Sequence, residues 1–290
     1  MIPAAVGGAL DTVARSISTQ LHDRTGQPVI VEAKPGGNGV VAVNSARDYR
    51  AGNPTAMYAI SSFVQNIAFK RVNAYQIADF SPLCLVAEHP IAYAVHKKLG
   101  VRSLAEFITL AKSRSQGEIS YGTWGVGSAA HLYGEMLNKD EKIRLLHVPF
   151  QGEAPAMQAL MGGDISSLYA SAGTLARLRS SGAYEILAIT GSERLASFPD
   201  IPTFSEQGHE NIGNLSGWSG VLVSARMPAA LQGQIARILE PVIQSEATKK
   251  TVLAAGYQPK FMGPQQFSAF IEAEMRRWTT VLRDYPVDLG

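Results

Sequence analysis

The chain has 290 residues, of which 46% are hydrophobic and 17% are charged, and its formal net charge is +2. This is an ordinary globular composition, and the length suits two domains better than one core. The basic residues form no tract or stripe, which gives nucleic-acid binding no support. No stretch approaches the roughly 20 apolar residues that span a bilayer.

The single cysteine bears on disulfide formation, and the start of the chain bears on export. Cys84 is the single cysteine, which excludes an internal disulfide, and its apolar surroundings, SPLCLVA, predict a buried structural thiol. The chain begins Met1-Ile2-Pro3 and runs directly into a glycine turn. We therefore expect that a leader peptide and part of a first strand have been removed.

The first hundred residues alternate strand, loop and helix. Asp11 and Thr12 are predicted helix-start residues after the turn AAVGGALD, and a further helix is predicted in VVAVNSARDYR. Buried strands are predicted in QPVIVEAK and in TAMYAISS, the latter ending in a polar loop at Ser61-Ser62. FSPLCLVAEHPIAYAVHK predicts two more strands, broken near His89-Pro90. This alternation favours a mainly parallel sheet.

A second set of strand–loop–helix units follows. Ser103, with Glu106 three residues later, predicts a capping box at a helix start. Strands are predicted in EISYGTW, IRLLHVPF, ISSLYAS, EILAITG and GWSGVLVSA, and helices in SAAHLYGEMLNK, EAPAMQALMGG, GTLARLRSSG and the whole of PAALQGQIARILEPVIQSEATKKTVLAAG. The last helix, PQQFSAFIEAEMRRWTTVL, has apolar residues at helical spacing, which predicts that Trp278 packs in the core.

A short glycine pattern raises the question of a nucleotide cofactor. Residues 125–130, GVGSAA, match the G-x-G-x-x-A form of a dinucleotide-binding fingerprint. Such a site also carries an acidic residue at the end of the next strand, but here that strand ends in Phe150-Gln151. The six histidines are scattered without H-x-H or H-x-x-x-H spacing. We therefore expect no cofactor and no metal.

Ser128 and His131 are the candidates for nucleophilic catalysis. No G-x-S-x-G elbow occurs, and two residues three apart on a helix do not form a triad without a third partner. We expect no catalytic residue: Ser128 is predicted to be a helix N-cap, and His131 to be structural or to donate a hydrogen bond toward the loop. A hydrolytic α/β enzyme using this pair stays an alternative.

Three glycine-rich loops remain: GGALD, PGGNG and GVGS. Each is predicted between a strand and a helix, where backbone amides without partners meet the positive end of a helix dipole. In open α/β sheets such loops gather where ligands bind. The sequence has no P-loop lysine, and no arginine adjoins these loops, which favours a small carboxylate over a phosphate.

Nearly the whole chain resembles the extracytoplasmic solute receptors of tripartite tricarboxylate transporters, the Bug or TctC-like family. Six segments carry the resemblance, and their order and spacing together are specific: GGALDTVAR, GQPVIVEAKPGGNG, GTWGVGSAAHLYGEML, HVPFQGEAPAMQALMGGDI, LAITGSERLASFPDIPTFSEQG and GYQPKFMGPQQFSAFIEAEMRRW.

The resemblance implies an α/β, two-domain periplasmic binding protein fold of the type II kind that closes on its ligand like a trap. Each domain would be a mainly parallel sheet flanked by helices, and two strands near IAYAV and GWSGVLVSA would cross between the domains. Domain 1 would comprise residues 1–97 and 222–290, and domain 2 residues 98–221, with the ligand cleft between them.

The resemblance also implies a function. The protein would be a periplasmic, monomeric, non-enzymatic receptor that delivers a small carboxylate to the membrane permease subunits of a tripartite transporter. A ligand sensor acting on a signalling partner is the alternative. Ligands in the family are di- and tricarboxylic acids, acidic amino acids and aromatic acids.

The family's ligand-binding positions map onto loops of this chain. Backbone amides and ordered waters of the first two loops would hold the ligand carboxylate. In domain 1 the matching residues, with the polar loop added, are Gly7, Gly8, Asp11, Gly36, Gly37, Asn38, Ser61 and Ser62. In domain 2 they are Trp124, Val126, Gly127, Ser128, His131, Phe150, Gln151, Tyr169, Ala170 and Ser171.

Two departures from the family pattern bear on the ligand. Many members have an aspartate after the strand that here reads ISSLYAS, whereas this chain has Tyr169-Ala170-Ser171. An amino-acid ligand needs an acidic partner for its ammonium group, so this difference weakens that option. Trp124 adds a flat apolar face, suited either to stack on an aromatic acid or to pack in the core.

Overall fold

The computed structural model of the chain describes residues 1–70, 75–196 and 198–286, which form two compact units. Unit 1 comprises Met1–His89 and Gly217–Leu282, and unit 2 comprises Pro90–Ser216 with residues 283–286. The chain passes from unit 1 to unit 2 after His89 and returns after Ser216. The predicted boundaries at residues 97 and 221 lie farther along the chain than these two crossings. Residues 283–286 were predicted in domain 1 but belong to unit 2, and residues 287–290 lie outside the described residues.

The helices and strands of the described residues follow one another along the chain. Their order is α1 (Ala9–Thr25), α2 (Val40–Arg47), β1 (Ala56–Ile60), α3 (Ser62–Ala68), β2 (Phe80–His89), β3 (Ile91–His96), α4 (Leu104–Lys112), β4 (Ser120–Thr123), α5 (Ala129–Glu141), β5 (Leu146–Pro149), α6 (Glu153–Gly162), β6 (Ser167–Ser171), α7 (Ala172–Leu178), β7 (Tyr184–Ile189), α8 (Glu210–Gly213), β8 (Gly217–Ser224), α9 (Ala229–Ile243), α10 (Glu246–Ala254), β9 (Gln258–Met262) and α11 (Pro264–Asp284).

The sheet of unit 1 has the order β1-β8-β2-β9, and all of its neighbouring strands are antiparallel. The expected mainly parallel sheet is therefore wrong here, for a topological reason. β1 and β2 do run in the same direction, as the strand–helix–strand alternation predicts. β8, which is distant in sequence, lies between them and pairs antiparallel with both.

The sheet of unit 2 has the order β5-β4-β6-β3-β7 and is mixed. β4 pairs parallel with β5 and β6, whereas β3 pairs antiparallel with β6 and β7. The prediction of a mainly parallel sheet thus fails at β3 alone. β3 follows Pro90 and β8 begins at Gly217, so each is the first strand after the chain arrives from the other unit. In unit 1, β9 runs in the same direction as β8, since both pair antiparallel with β2.

Each unit has its own apolar core. In unit 1, α1 and α9 pack on the sheet through residues such as Val13, Leu83 and Val242. In unit 2, α6 and α7 pack on the sheet through Leu160, Leu168 and Leu175. Full burial of one such side chain contributes about 1.5–3 kcal/mol. The predicted burial of Cys84 and Trp278 is confirmed, as each is 1% exposed.

The break between β2 and β3 and the Ser103 cap are also confirmed. β2 ends at His89 and β3 begins at Ile91, on either side of a proline that cannot donate to the ladder. The Ser103 hydroxyl accepts a hydrogen bond from the Glu106 N–H at 3.2 Å. The Glu106 carboxylate accepts from the Arg102 N–H at 2.8 Å. The return bond of the capping box is therefore made to the residue before Ser103.

The predicted buried strand QPVIVEAK is wrong. Its pairing is limited to a bridge between Ile2 and Ala33, and Ile30 is 79% exposed. Ile2 donates to the Glu32 carbonyl at 2.8 Å and accepts from Lys34 at 2.9 Å. Because the segment pairs through one residue only, it forms no ladder of backbone hydrogen bonds. Its β-branched residues are therefore not sufficient to make it a strand.

Two further predictions are corrected. Ser62 is the first residue of α3, so the polar stretch after β1 is a helix start and not a loop. The long C-terminal helical segment divides into α9 and α10, because the Ser245 hydroxyl caps α10 by accepting from the Thr248 N–H at 3.1 Å. β9 follows α10 and was not predicted. None of the helices in the described part of the chain combines the length and apolar sequence that crossing a bilayer requires.

Gly220 of β8 tests the packing of α11 on the sheet. A Cβ at Gly220 would stand 2.4 Å from Phe267 Cζ and 2.7 Å from the Cys84 carbonyl oxygen. We expect Gly220→Ala to lower the free energy of unfolding by roughly 1–3 kcal/mol, the usual cost of overpacking. Gly233→Ala is the control, since the nearest atom there is Arg237 Nη1 at 3.6 Å. Urea unfolding followed by circular dichroism measures both; equal midpoints would contradict this packing.

Candidate functional site

The first glycine loop of unit 1 is held by a carboxylate from the helix that it precedes. The buried side chain of Asp11 accepts hydrogen bonds at Oδ2 from the Gly7 N–H and from Arg15 Nε, each at 2.9 Å. The Arg15 bond first, and the Gly7 bond second, hold the pKa of Asp11 below its usual 3.8. Asp11 thus fixes the loop, while Gly8 is the N-cap of α1 without a side-chain cap.

The second glycine loop has a run of left-handed backbone. The φ angles are 127° at Gly36, 55° at Gly37, 51° at Asn38 and 95° at Gly39. Glycine adopts such angles at no steric cost, and asparagine is among the few other residues that tolerate them. Gly39 is the N-cap of α2 and makes no side-chain cap hydrogen bond, while the Val40 N–H donates to the Gly37 carbonyl within the turn.

The start of α3 supports the second loop from one side. Asn38 Nδ2 donates to Asn66 Oδ1 at 3.2 Å, and Asn66 Nδ2 donates back to the Asn38 carbonyl at 3.1 Å. A Cβ on Gly39 would lie 3.2 Å from Ser62 Oγ and 3.4 Å from Pro3 Cβ. The predicted residues Gly36 to Asn38 and Ser62 are therefore neighbours. Asn66 was not predicted, because its burial and its contact with Asn38 are seen only in the folded chain.

Ser61 has a different role from Ser62. Its N–H donates to the Trp218 carbonyl at 3.0 Å, which ties the end of β1 to β8. Its hydroxyl would be 3.6 Å from a Cβ on Gly217, the first residue after the chain returns to unit 1.

The glycine loop of unit 2 runs from the end of β4 to the start of α5. Gly125 and Gly127 have φ angles of 140° and 66°. Val126 between them is 50% exposed, and Trp124 is half-buried. The predicted N-cap is confirmed, because the Ser128 hydroxyl accepts from the His131 N–H at 3.3 Å.

The loop after β5 lies beside this one. The Phe150 N–H donates to the Thr123 carbonyl at 3.0 Å, so the two strand ends are joined. Gln151 is exposed, and Gly152, with a φ of 114°, starts α6 without a side-chain cap. The predicted residues Trp124 to Ser128 and Phe150 thus belong to one edge of unit 2.

His131 accepts a hydrogen bond from the loop, which corrects the predicted donor role. The Gly127 N–H donates to His131 Nδ1 at 3.1 Å. The His131 ring stacks on His147, with centroids 3.9 Å apart and planes 9° apart. His147 Nε2 lies 2.7 Å from Thr123 Oγ1, and Thr123 also accepts from the Gly125 N–H at 3.3 Å. His147 and Thr123 were not predicted; both adjoin predicted site loops in sequence.

Burial keeps both imidazoles neutral. It lowers the pKa of His131 from 6.5, although the Glu135 carboxylate acts in the opposite direction. It lowers the pKa of His147 to about 4, with the neighbouring His131 adding a smaller effect of the same sign. A neutral His131 that accepts at Nδ1 carries its proton on Nε2.

The segment 169–171 is placed differently from the loops. Tyr169 and Ala170 are fully buried in the core of unit 2. Ser171 donates its N–H and its hydroxyl to the Glu153 carboxylate, at 2.8 and 2.7 Å. An acid is therefore present beside this strand end, but it comes from the first turn of α6. Within residues 1–70, 75–196 and 198–286, no group of histidine, cysteine and acidic side chains is placed to hold a metal ion.

Comparisons with known proteins agree on one family. A family model described as "Tripartite tricarboxylate transporter family receptor" matches residues 13–286. Protein BugT of Bordetella pertussis is 28% identical over 287 residues, which cover 98% of this chain and 87% of BugT.

Solved structures share the fold. A TctC solute-binding protein from Polaromonas has a TM-score of 0.84 at 20% identity, covering 98% of this chain and 96% of that one. An R. palustris protein solved with adipate has a TM-score of 0.79 at 25% identity, covering 97% and 95%. The expected two-domain α/β binding-protein fold is confirmed.

Asn38 tests how the second loop is held. We expect Asn38→Ala to lower the free energy of unfolding by about 1–2 kcal/mol more than Asn38→Gly, because alanine is strained at a left-handed φ and glycine is not. Both variants lose the bond to Asn66, so Asn38→Gly is the matched control for that loss. Chemical denaturation measures the difference; equal stability of the two variants would contradict the left-handed conformation at residue 38.

Proposed function

Because the chain belongs to the tripartite tricarboxylate transporter receptor family, we propose that it is a solute receptor that binds a small carboxylate. One observation carries the proposal: α1, α2 and α6 each start at a glycine, at Gly8, Gly39 and Gly152, without a side-chain cap. All three starts lie in or beside loops predicted to bind the ligand. Amides that no side chain caps are suited to the oxygen atoms of an anion.

The chemistry of the loops favours a carboxylate held by hydrogen bonds over one held by a salt bridge. Arg15, the arginine nearest to the first loop in sequence, is already paired with Asp11 at 2.9 Å. The second loop offers backbone amides and the Ser62 hydroxyl beside Gly39. These donors suit a carboxylate, which has two acceptor oxygens and can be held by hydrogen bonds without a cationic side chain.

We take the first candidate ligand from a protein of similar structure. The similar R. palustris protein was solved with adipate, a six-carbon dicarboxylate, which makes aliphatic diacids the first compounds to test. Trp124 and the half-exposed Val126 would supply an apolar wall for the carbon chain or for an aromatic acid. The bonds of Ser171 to Glu153 use both of its donors, so we assign Ser171 a supporting role.

The remaining parts of the proposal concern the working cycle. We propose that the receptor is a periplasmic monomer, that its two units close on the ligand by bending where the chain passes between them, and that it delivers the ligand to membrane permease subunits. Ser128 and His131 give the hydrolase alternative no support. The Ser128 hydroxyl caps α5, and His131 Nδ1 accepts from Gly127.

Gly39→Ala tests the second loop as a binding element. We expect the variant to lose at least about tenfold in affinity for adipate, because a Cβ there meets Ser62 Oγ at 3.2 Å and strains a φ of 95°. Gly52→Ala is the matched control: its φ is 84° and a Cβ there has no neighbour within 4 Å. Both variants carry the same kind of backbone strain, so Gly52→Ala should lose stability and keep affinity. Titration calorimetry over a panel of carboxylates, with adipate first, gives the affinities. If none of the panel binds the wild-type protein, the proposed function fails.

Trp124 provides a spectroscopic test. The chain has 3 tryptophans. Trp218 and Trp278 are fully buried in unit 1, whereas Trp124 is half-buried in the glycine loop of unit 2. We expect adipate to change the tryptophan fluorescence of the wild-type protein, and Trp124→Phe to abolish most of that change. A change that persists in Trp124→Phe would place the ligand away from this loop. Trp278→Phe is the control and should keep the response.

A further inference from the structure

The two stacked histidines of unit 2 hold the glycine loop through a bond that depends on protonation. We propose that His131 is a positioning residue that keeps the 125–128 loop in its binding conformation while its ring is neutral, and that protonation of this ring releases the loop. The inference rests on the proposed function, because it makes carboxylate binding depend on pH.

The geometry requires a neutral ring at Nδ1. Gly127 is a backbone donor, and its N–H points at His131 Nδ1 at 3.1 Å. A protonated imidazole carries hydrogen on both nitrogens, so Nδ1 would then oppose the Gly127 N–H with a second donor. The bond cannot survive that change in its present geometry. The loop between Gly125 and Ser128 would have to move, or the ring would have to rotate out of its stack.

The stack resists such a rotation. The His131 ring stacks on that of His147 with centroids 3.9 Å apart, and the Tyr121 ring stacks on that of His147 with centroids 5.0 Å apart. Thr123 holds His147 Nε2 at 2.7 Å and also bonds to both backbone polar groups of Gly125. The loop is therefore held at two places: at Gly127 by His131, and at Gly125 by Thr123, whose hydroxyl is bonded to His147.

The titratable groups around His131 come from three elements. His147 faces it from β5, and Tyr121 from β4 bonds to its carbonyl at 3.4 Å. Glu135, one turn later on α5, accepts from the Tyr121 hydroxyl at 2.6 Å and from Asn138 Nδ2 at 3.3 Å. Only Glu135 favours the imidazolium, and burial outweighs it, so the pKa of His131 stays below 6.5.

The sign of the pH effect follows from these directions. A histidine whose pKa is lowered in the folded state binds fewer protons than it does in the unfolded chain. Its contribution to stability is complete above pH 6.5 and is lost as the pH falls toward the folded-state pKa, which is about 4 for His147. Unit 1 contrasts with this, because Gly7 donates to the Asp11 carboxylate, whose pKa lies below 3.8. The unit 1 loop should therefore be insensitive to pH in the same range.

The first test needs no ligand. In 15N-labelled protein we expect the Gly127 amide resonance to titrate between pH 7.5 and 4.5, together with the ring signals of His131. The Gly7 amide, held by Asp11, is the internal control and should not move. A Gly127 resonance that is constant over this range while His131 gains its proton would overturn the inference.

The second test measures affinity for adipate against pH. We expect the ratio of the wild-type affinity to that of His131→Asn, measured at the same pH, to fall from pH 7.5 to pH 5, because only the wild-type protein loses its acceptor at Nδ1. Taking this ratio removes the effect of protonation of adipate itself. His131→Asn places a non-titrating acceptor near the position of Nδ1. It should weaken binding at pH 7.5 less than His131→Ala does, and the pH dependence that it retains should be that of adipate itself. His22→Asn, at an exposed histidine of α1, should keep the wild-type profile.

The outcomes separate the two proposals. A wild-type pH profile retained by His131→Asn would exclude His131 as the group responsible. Absence of adipate binding at every pH, with a titrating Gly127 amide, would count against adipate as a ligand while supporting the positioning role.

Discussion

The amide groups in the first turn of a helix have no acceptor inside the helix, so their acceptor must come from elsewhere. In both units of this protein, the source of that acceptor distinguishes two kinds of helix start. α4, α5 and α10 are capped by the hydroxyls of Ser103, Ser128 and Ser245. The glycine-started helices α1, α2 and α6 lack such a cap. A glycine start leaves donors for an external anion and admits that anion close to the backbone, which a serine cap would prevent.

The two units hold their glycine loops by the same local device. In each, a glycine N–H donates to a side chain four residues later on the following helix: Gly7 to Asp11, and Gly127 to His131. The device turns the loop back onto its helix and sets the direction of the remaining amides. The acceptors differ in chemistry. An ionised carboxylate keeps accepting down to low pH, whereas a neutral imidazole stops accepting once it gains a proton.

β3 and β8 bring segments that are distant in sequence into the middle of each sheet. β3 and β8 each enter a sheet between strands that run the other way, and each is the first strand after the chain changes unit. Residues distant in sequence are joined as a result. β8 carries Ser219, whose hydroxyl bonds to Tyr58 at 3.0 Å and to His89 at 2.9 Å. His89 is the last residue before the chain leaves unit 1, so its bond to β8 links the outgoing and returning segments.

The sequence by itself determined the family, the α/β class, most helices and strands, and the glycine loops, because these depend on local patterns of burial, capping and backbone freedom. Ser103 and Ser128 were predicted as caps for this reason, and the structure confirms both. Only the tertiary structure decided which strands are neighbours, whether QPVIVEAK forms a strand, and which side chains bond to the glycine loops. Pairing depends on which distant segment arrives beside a strand, and β8 and β3 are such segments. Asn66, His147 and Thr123 contribute through side chains that only the folded chain brings to the loops. Asn66 lies 28 residues from Asn38, so sequence spacing carries no record of that contact.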